Sequence, residues 1–288
     1  MDYLRGNAAA SAMGVFVICK YLNAHSNGRT EDELRGGLEV LRSPQGESEG
    51  AAAVLTASLA IAQGLSLVAR ASPSAPWCVA ADVADELEVA AGRWEAFRGP
   101  LTRRIMEQGL EQNRETSESP DLLKGLTWFM QLNPIQPPGL SWEAGPYPLV
   151  KALNFDAIER SDQWRPFRRW AVAMGLARIS DTAKTILPDA STAIADQLPY
   201  LPKAASAAEW LGALRERLPI LGGASMLEQL PSGGNAWADV PPGLVLGLFK
   251  LEAGGILSLE SSDDAAHVVA LGLGQSTRQV GRIVVREW

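Results

Sequence analysis

The sequence predicts a mainly α protein with small β-wings, built from N-terminal and C-terminal winged helix-turn-helix units joined by a Trp-rich helical middle. Three observations lead there. Residues 240–274 read as a helix, a glycine stop, a short strand, an acidic turn and a second strand. Residues 51–83 repeat that order of elements. Between them the apolar pattern is helical and carries most of the large aromatic residues.

From the start of the chain, residues 7–24 read as the first helix, with Met13, Phe16, Val17, Lys20 and Tyr21 at helical spacing. Ser26-Asn27-Gly28 ends it. Thr30 followed by Glu33 is a capping box for a helix over 31–41, because each side chain can bond the other's backbone N–H. The run 43–50 is a loop. Residues 51–63 form the next helix, stopped by Gly64, with strands over 65–70 and 77–83. Leu65-Ser66-Leu67 echoes Leu257-Ser258-Leu259 near the other end. Residues 83–110 read as helix broken near Gly99-Pro100, where the ring removes a backbone donor.

The stretch 111–121 is polar and ends in proline and aspartate, and it reads as a linker. Beyond it Leu122, Leu126 and Phe129 share a helix face with Trp128 beside them, stopped at Asn133-Pro134. Residues 134–148 are a proline-rich loop and 148–155 a short helix. Trp164, Phe167, Trp170, Ala171 and Met174 then fall on one stripe, which reads as packing because each indole buries a large area. A short strand fits 184–187. Asp189 and the Ser206/Glu209 pair start two further helices. The predicted units are 1–110, a linker 111–121, a helical middle 122–180 and a C-terminal unit 181–288.

In that last unit Leu244, Leu248 and Leu251 form an i, i+4, i+7 stripe behind Pro241-Pro242, and Gly254-Gly255 ends the helix. Ile256, Leu257 and Leu259 make a strand. Ser261-Ser262-Asp263-Asp264 supplies the turn, and His267, Val268, Val269 and Leu271 return as its partner. Residues 278–288 read as an edge-like strand with Val280, Arg282, Val284 and Arg286 on one side.

Composition narrows function by exclusion. The chain has 288 residues, 47% hydrophobic and 20% charged, with net charge -7. An acidic balance opposes sequence-blind binding to nucleic acid, which depends on cations neutralising phosphates. Cys19 and Cys78 read as two buried thiols of a cytoplasmic protein. The apolar run 8–22 is too short and interrupted to span a membrane. His25 and His267 lie too far apart, and the cysteines too few, for zinc spacing. Gly272–Ser276 is glycine-rich but is followed by a strand, where a dinucleotide site needs a helix. No cofactor, metal or catalytic residue is therefore expected, and the chain reads as a non-enzyme.

A DNA-reading helix presents Arg, Lys, Asn or Gln to base edges. The candidate helix 51–63 has no charged residue, and 243–253 has only Lys250 and Glu252, with an acidic turn beside it. Both terminal units thus read as protein-docking modules or buried halves of a larger assembly. The candidate contact residues, for nucleic acid or a partner, are Arg165, Arg168, Arg169, Arg278, Arg282 and Lys250.

Four stretches, "DLLKGLTWFMQLNP", "QWRPFRRWAVAMGLAR", "DASTAIADQLPYLP" and "LVLGLFKLEAGGILSLES", resemble the DpdG family of bacteria, found beside genes for 7-deazaguanine modification of DNA. They cover most of 121–262, on aliphatic and aromatic framework positions. The resemblance implies an accessory subunit of a restriction module acting on unmodified foreign DNA, with other subunits of that complex as partners. It carries over no catalytic residue. Kleisin-like subunits with terminal winged helices stay open as an alternative, as does a winged-helix DNA-binding regulator.

Overall fold

The computed structural model describes residues 2–38, 50–231, 237–261 and 268–286. Helix α1 (Ala12–Asn23) begins at Ser11, whose side chain accepts from Gly14 N. It starts later than the expected residue 7, after a run of turns. Its buried side chains are Val15, Phe16, Ile18, Cys19 and Leu22, whereas Met13 is 45% exposed. The helix is apolar nearly all round, so spacing alone could not set which stripe turns inward. Helix α2 (Glu31–Gly37) has the expected Thr30/Glu33 capping box, with both reciprocal bonds formed. Helix α3 (Gly50–Gly64) leads into β1 (Val68–Ala69) and β2 (Cys78–Val79), which pair antiparallel.

Helices α4 (Ala81–Val89) and α5 (Trp94–Thr116) follow. The expected break at Pro100 does not occur, and α5 runs through it. It also takes up residues 111–116 of the polar stretch, turning only at Ser117 with φ 60°.

The middle holds more sheet than its sequence suggests. After α6 (Asp121–Met130), α7 (Tyr147–Leu153) and α8 (Ser161–Ala173) comes an antiparallel hairpin, β3 (Ala177–Ser180) with β4 (Thr185–Pro188). Only the second strand was legible. Each is four residues long, too short for an alternating pattern to stand out.

The C-terminal part contains α9 (Ser191–Gln197), β5 (Ala204–Ser206), α10 (Ala207–Arg217), α11 (Ala224–Leu227) and α12 (Pro242–Ala253). Strands β6 (Leu257–Glu260), β7 (Val269–Leu273), β8 (Ser276–Val280) and β9 (Arg282–Val285) complete it. Here the expected pairing is corrected. Strand β6 pairs with β9, while β7 pairs with β8 in a separate ladder turning at Gly274. Strand β9 is no edge: it lies between β5 and β6. Val280 and Ile283 are fully buried, while Arg282 between them is exposed. The expected acidic turn at 262–264 and His267 lie outside the described residues.

One arrangement recurs three times among the described residues: helix, bridging segment, two main helices, antiparallel strand pair. The third copy adds the short α11 before α12 and the β7–β8 ladder between β6 and β9. In the first copy Arg29 bridges Trp77, beside β2. In the second Gly139 bridges Thr185 of β4. In the third β5 pairs β9. Each time the segment before the second helix joins the last strand.

The turn after the third helix repeats too. Leu67, Leu176 and Ile256 N–H donate to the carbonyls of Ala62, Ala171 and Leu251, each at 2.9 Å. The carbonyls of the same three residues accept from Ala80, Asp189 and Arg286 at 2.9, 3.2 and 2.9 Å. The preceding residues Ser66, Gly175 and Gly255 take positive φ of 55°, 72° and 73°, the left-handed geometry that closes a helix end. Leu67 therefore matches Ile256, and the Leu-Ser-Leu echo is three residues out of register.

The copies do not stand apart. Their buried apolar side chains form one connected core from Tyr3 to Ile283. Polar ties cross it. Arg98 of α5 grips Asp196 of α9 through two bonds of 2.6 and 2.9 Å. Buried Asp189, just after β4, accepts from Lys250 of α12 at 2.5 Å and pairs with Arg178 of β3 at 2.9 Å. The Asp121 carboxylate at the start of α6 accepts from the backbone N–H of Tyr3, Leu4 and Arg5 at 2.8, 2.9 and 3.2 Å, anchoring the N-terminal segment. One of the two thiols departs from expectation as well. Cys19 is buried, and burial pushes its thiol up to about 12. Cys78 is exposed, because on β2 it alternates with buried Trp77 and points outward.

Candidate functional site: a cationic cleft on the middle unit

Helix α8 has two faces of opposite character. Gln163, Trp164, Pro166, Phe167, Trp170 and Ala171 are buried. Trp164 and Phe167 stack at 5.1 Å, Phe129 meets Phe167 edge-on, and Tyr3 meets Trp170 edge-on at 5.4 Å. The indole N–H of Trp164 donates to Leu140 O at 3.0 Å, which fixes the loop beside it. This face holds the helix rigidly. On the other face Ser161, Asp162, Arg165, Arg169 and Val172 are exposed and Arg168 is half-buried.

That outer face forms one wall of an open cleft of about 930 Å³. Its other walls are Ala8 of the N-terminal segment, Ser141–Ala144 with half-buried Trp142, and Lys184. Lys184 sits at the β3–β4 turn with φ 51°. Four cations, Arg165, Arg168, Arg169 and Lys184, face two carboxylates, Glu143 and Asp162. Asp162 is already paired with Arg160 at 3.2 Å.

The arginines differ in what holds them. Arg169 donates to the carbonyls of Ala8 and Ala10 at 2.5 and 3.2 Å, so it ties the N-terminal segment to α8. Burial holds its guanidinium below the usual arginine range. Burial, and then the neighbouring Arg165 charge, lower Arg168 in the same direction. Arg168 Nε is buried without a hydrogen-bond partner among the described residues. No carboxylate among them lies within 4.0 Å of Arg165, Arg168, Arg169 or Lys184 in an ion pair. The cleft thus has more cations than carboxylates on an acidic protein, with an anion as its natural complement.

The other three candidate residues lie elsewhere, and each is neutralised. Lys250 is bound to Asp189. Arg278 donates to Glu252 at 2.5 Å and also to Leu259 O. Arg282 is 3.9 Å from Glu260. Reading the sequence alone missed Lys184 and Trp142. Lys184 becomes visible once "SDTAKT" is seen as a hairpin turn. Nothing local marks Trp142.

Among the described residues no group of three or more His, Cys, Asp or Glu is placed to hold a metal ion. Nor is any helix among them long and apolar enough to cross a membrane. Neither the curated proteins nor the solved structures contain a match. A family model described as DpdG-like matches residues 4–265, nearly the whole chain and all three copies of the repeated arrangement up to β6. The chain belongs to the DpdG-like family.

Proposed function

We propose that the chain is a non-catalytic accessory subunit of the bacterial Dpd system, a scaffold of winged-helix units that holds protein partners acting on foreign DNA. Family membership supports the setting. The observation that supports the scaffold reading is the thrice-repeated order of helix, bridge, two main helices and antiparallel strand pair, read here as winged-helix-like, with three different surfaces on the helix before the strand pair. Helix α3 shows a charge-free stripe of Thr56, Ala60 and Gln63 to solvent. Helix α12 is turned inward against the middle unit. Helix α8 faces outward with its arginines. The N-terminal unit is therefore the docking module in this reading, and the C-terminal helix braces the body.

Co-purification tests it. A tagged chain expressed in its native host should recover other Dpd proteins, and Ala60→Arg in the α3 stripe should reduce that recovery several-fold. Failure to recover any of them would sink the scaffold reading. The arginines of α8 favour a second reading, in which the chain also touches DNA.

A further inference from the structure

We infer that the cleft of the middle unit holds the phosphate backbone of double-stranded DNA. This goes beyond the scaffold reading and stands on separate residues. Helix α8 is the third helix of its unit and Lys184 lies at the tip of the same unit's hairpin. In this arrangement the third helix enters a groove while neighbouring cations grip phosphates. Both sets of cations open onto one cleft, so a duplex lying along α8 meets Arg165, Arg168 and Lys184 together.

The chemistry of the site points the same way. Arg165 and Arg168 repel each other, and Arg168 is short of a hydrogen-bond acceptor. Phosphate oxygens supply the countercharge for this pair, and a guanidinium fork suits them. The aromatic packing beneath α8 fixes the helix that carries these groups before the ligand arrives, so no backbone ordering of α8 is needed on binding. Arg169 is a positioning residue here, because its Nη2 donates to the Ala8 and Ala10 carbonyls. Neither terminal unit offers an equivalent. The described part of α3 has no charged side chain, and Lys250 of α12 is bound to Asp189.

Fluorescence anisotropy of a labelled mixed-sequence duplex of about two turns tests the inference on the full chain. Binding should saturate and weaken steeply with salt. The double variant Arg165→Gln/Arg168→Gln should bind about tenfold or more weakly and reduce the slope of log affinity against log salt by about two. The charge-preserving Arg165→Lys/Arg168→Lys should regain most of the affinity, and unchanged circular dichroism shows that the fold is intact. Arg278→Gln, at a cation already paired with Glu252, should bind like the parent.

Several results would overturn the inference. They are absence of saturable binding at low salt, equal binding by the Gln variant, tighter binding of a single strand of the same length, or competition by polyglutamate as strong as by unlabelled duplex. The Gln variant should still co-purify with its protein partners, so loss of DNA binding and loss of docking are separate outcomes.

Discussion

Helices α8 and α12 hold the same place in two copies of one arrangement, and their neighbours make them opposites. On α12 every residue from Pro242 to Glu252 is buried or half-buried. Its lysine is bound to Asp189 and its glutamate to Arg278. On α8 the aromatic face is buried, while the arginine face meets solvent without a carboxylate partner among the described residues. A shared position in a fold therefore does not set what a helix can touch. What covers it does.

Perturbing α12 should cost the protein its fold. Leu248→Ala removes a fully buried side chain and should destabilise by about 3 kcal/mol, read from urea unfolding. A cost below about 1 kcal/mol would mean that α12 is not the brace described here.

Crowding the same interface is the next test. A Cβ at Gly247 would lie 2.9 Å from the backbone N of Ser191 and 3.0 Å from Ile194, and backbone cannot step aside as a side chain can. Gly247→Ala should cost about 2 kcal/mol despite its better helix propensity. A stabilised variant would show that the contact is looser than the geometry indicates.

Asp189 sharpens the comparison through pH. Burial works against its charge. The bond from Lys250, the bonds from Ser191 and the Lys250 charge outweigh burial and hold the carboxyl below the usual carboxylate range. A depressed folded value means that its stabilisation is present above the unfolded value and lost as pH falls through the folded one. Asp189→Asn should cost about 1.5 kcal/mol at neutral pH, discounted because Lys250 and Arg178 are partly exposed. Parent and variant should converge on acidification, and parallel unfolding midpoints across the acid range would contradict this.

The smallest effect belongs to α8. Arg165→Gln should change stability by no more than about 0.5 kcal/mol, since it removes an exposed charge repelled by its neighbour. A large loss would make the arginine face structural and weaken the case for a ligand there.

Local chemistry was legible where one short segment contains the whole cause. The Thr30/Glu33 box formed as spacing predicts, because both partners lie within one turn. The aromatic stripe of α8 is buried from Trp164 to Met174, because four large apolar groups and Ala171 on one face leave no other choice. The middle hairpin escaped notice because its strands are short and β3 exposes both Arg178 and Ile179, which leaves no alternating pattern. The cleft was half legible. Its arginines stood out as a run, but Lys184 and Trp142 reach it only through the hairpin and the loop pinned by Trp164.

By itself the chain determined which segments are helical, the Thr30 cap, the apolar stripe of α8 and how charge is distributed. Those follow from contacts a few residues apart. The folded molecule decided that β9 lies between β5 and β6, that α12 turns inward and that four cations meet in one cleft. Each joins segments far apart in sequence, and which of several apolar faces packs against which is a contest between whole surfaces that no single segment records.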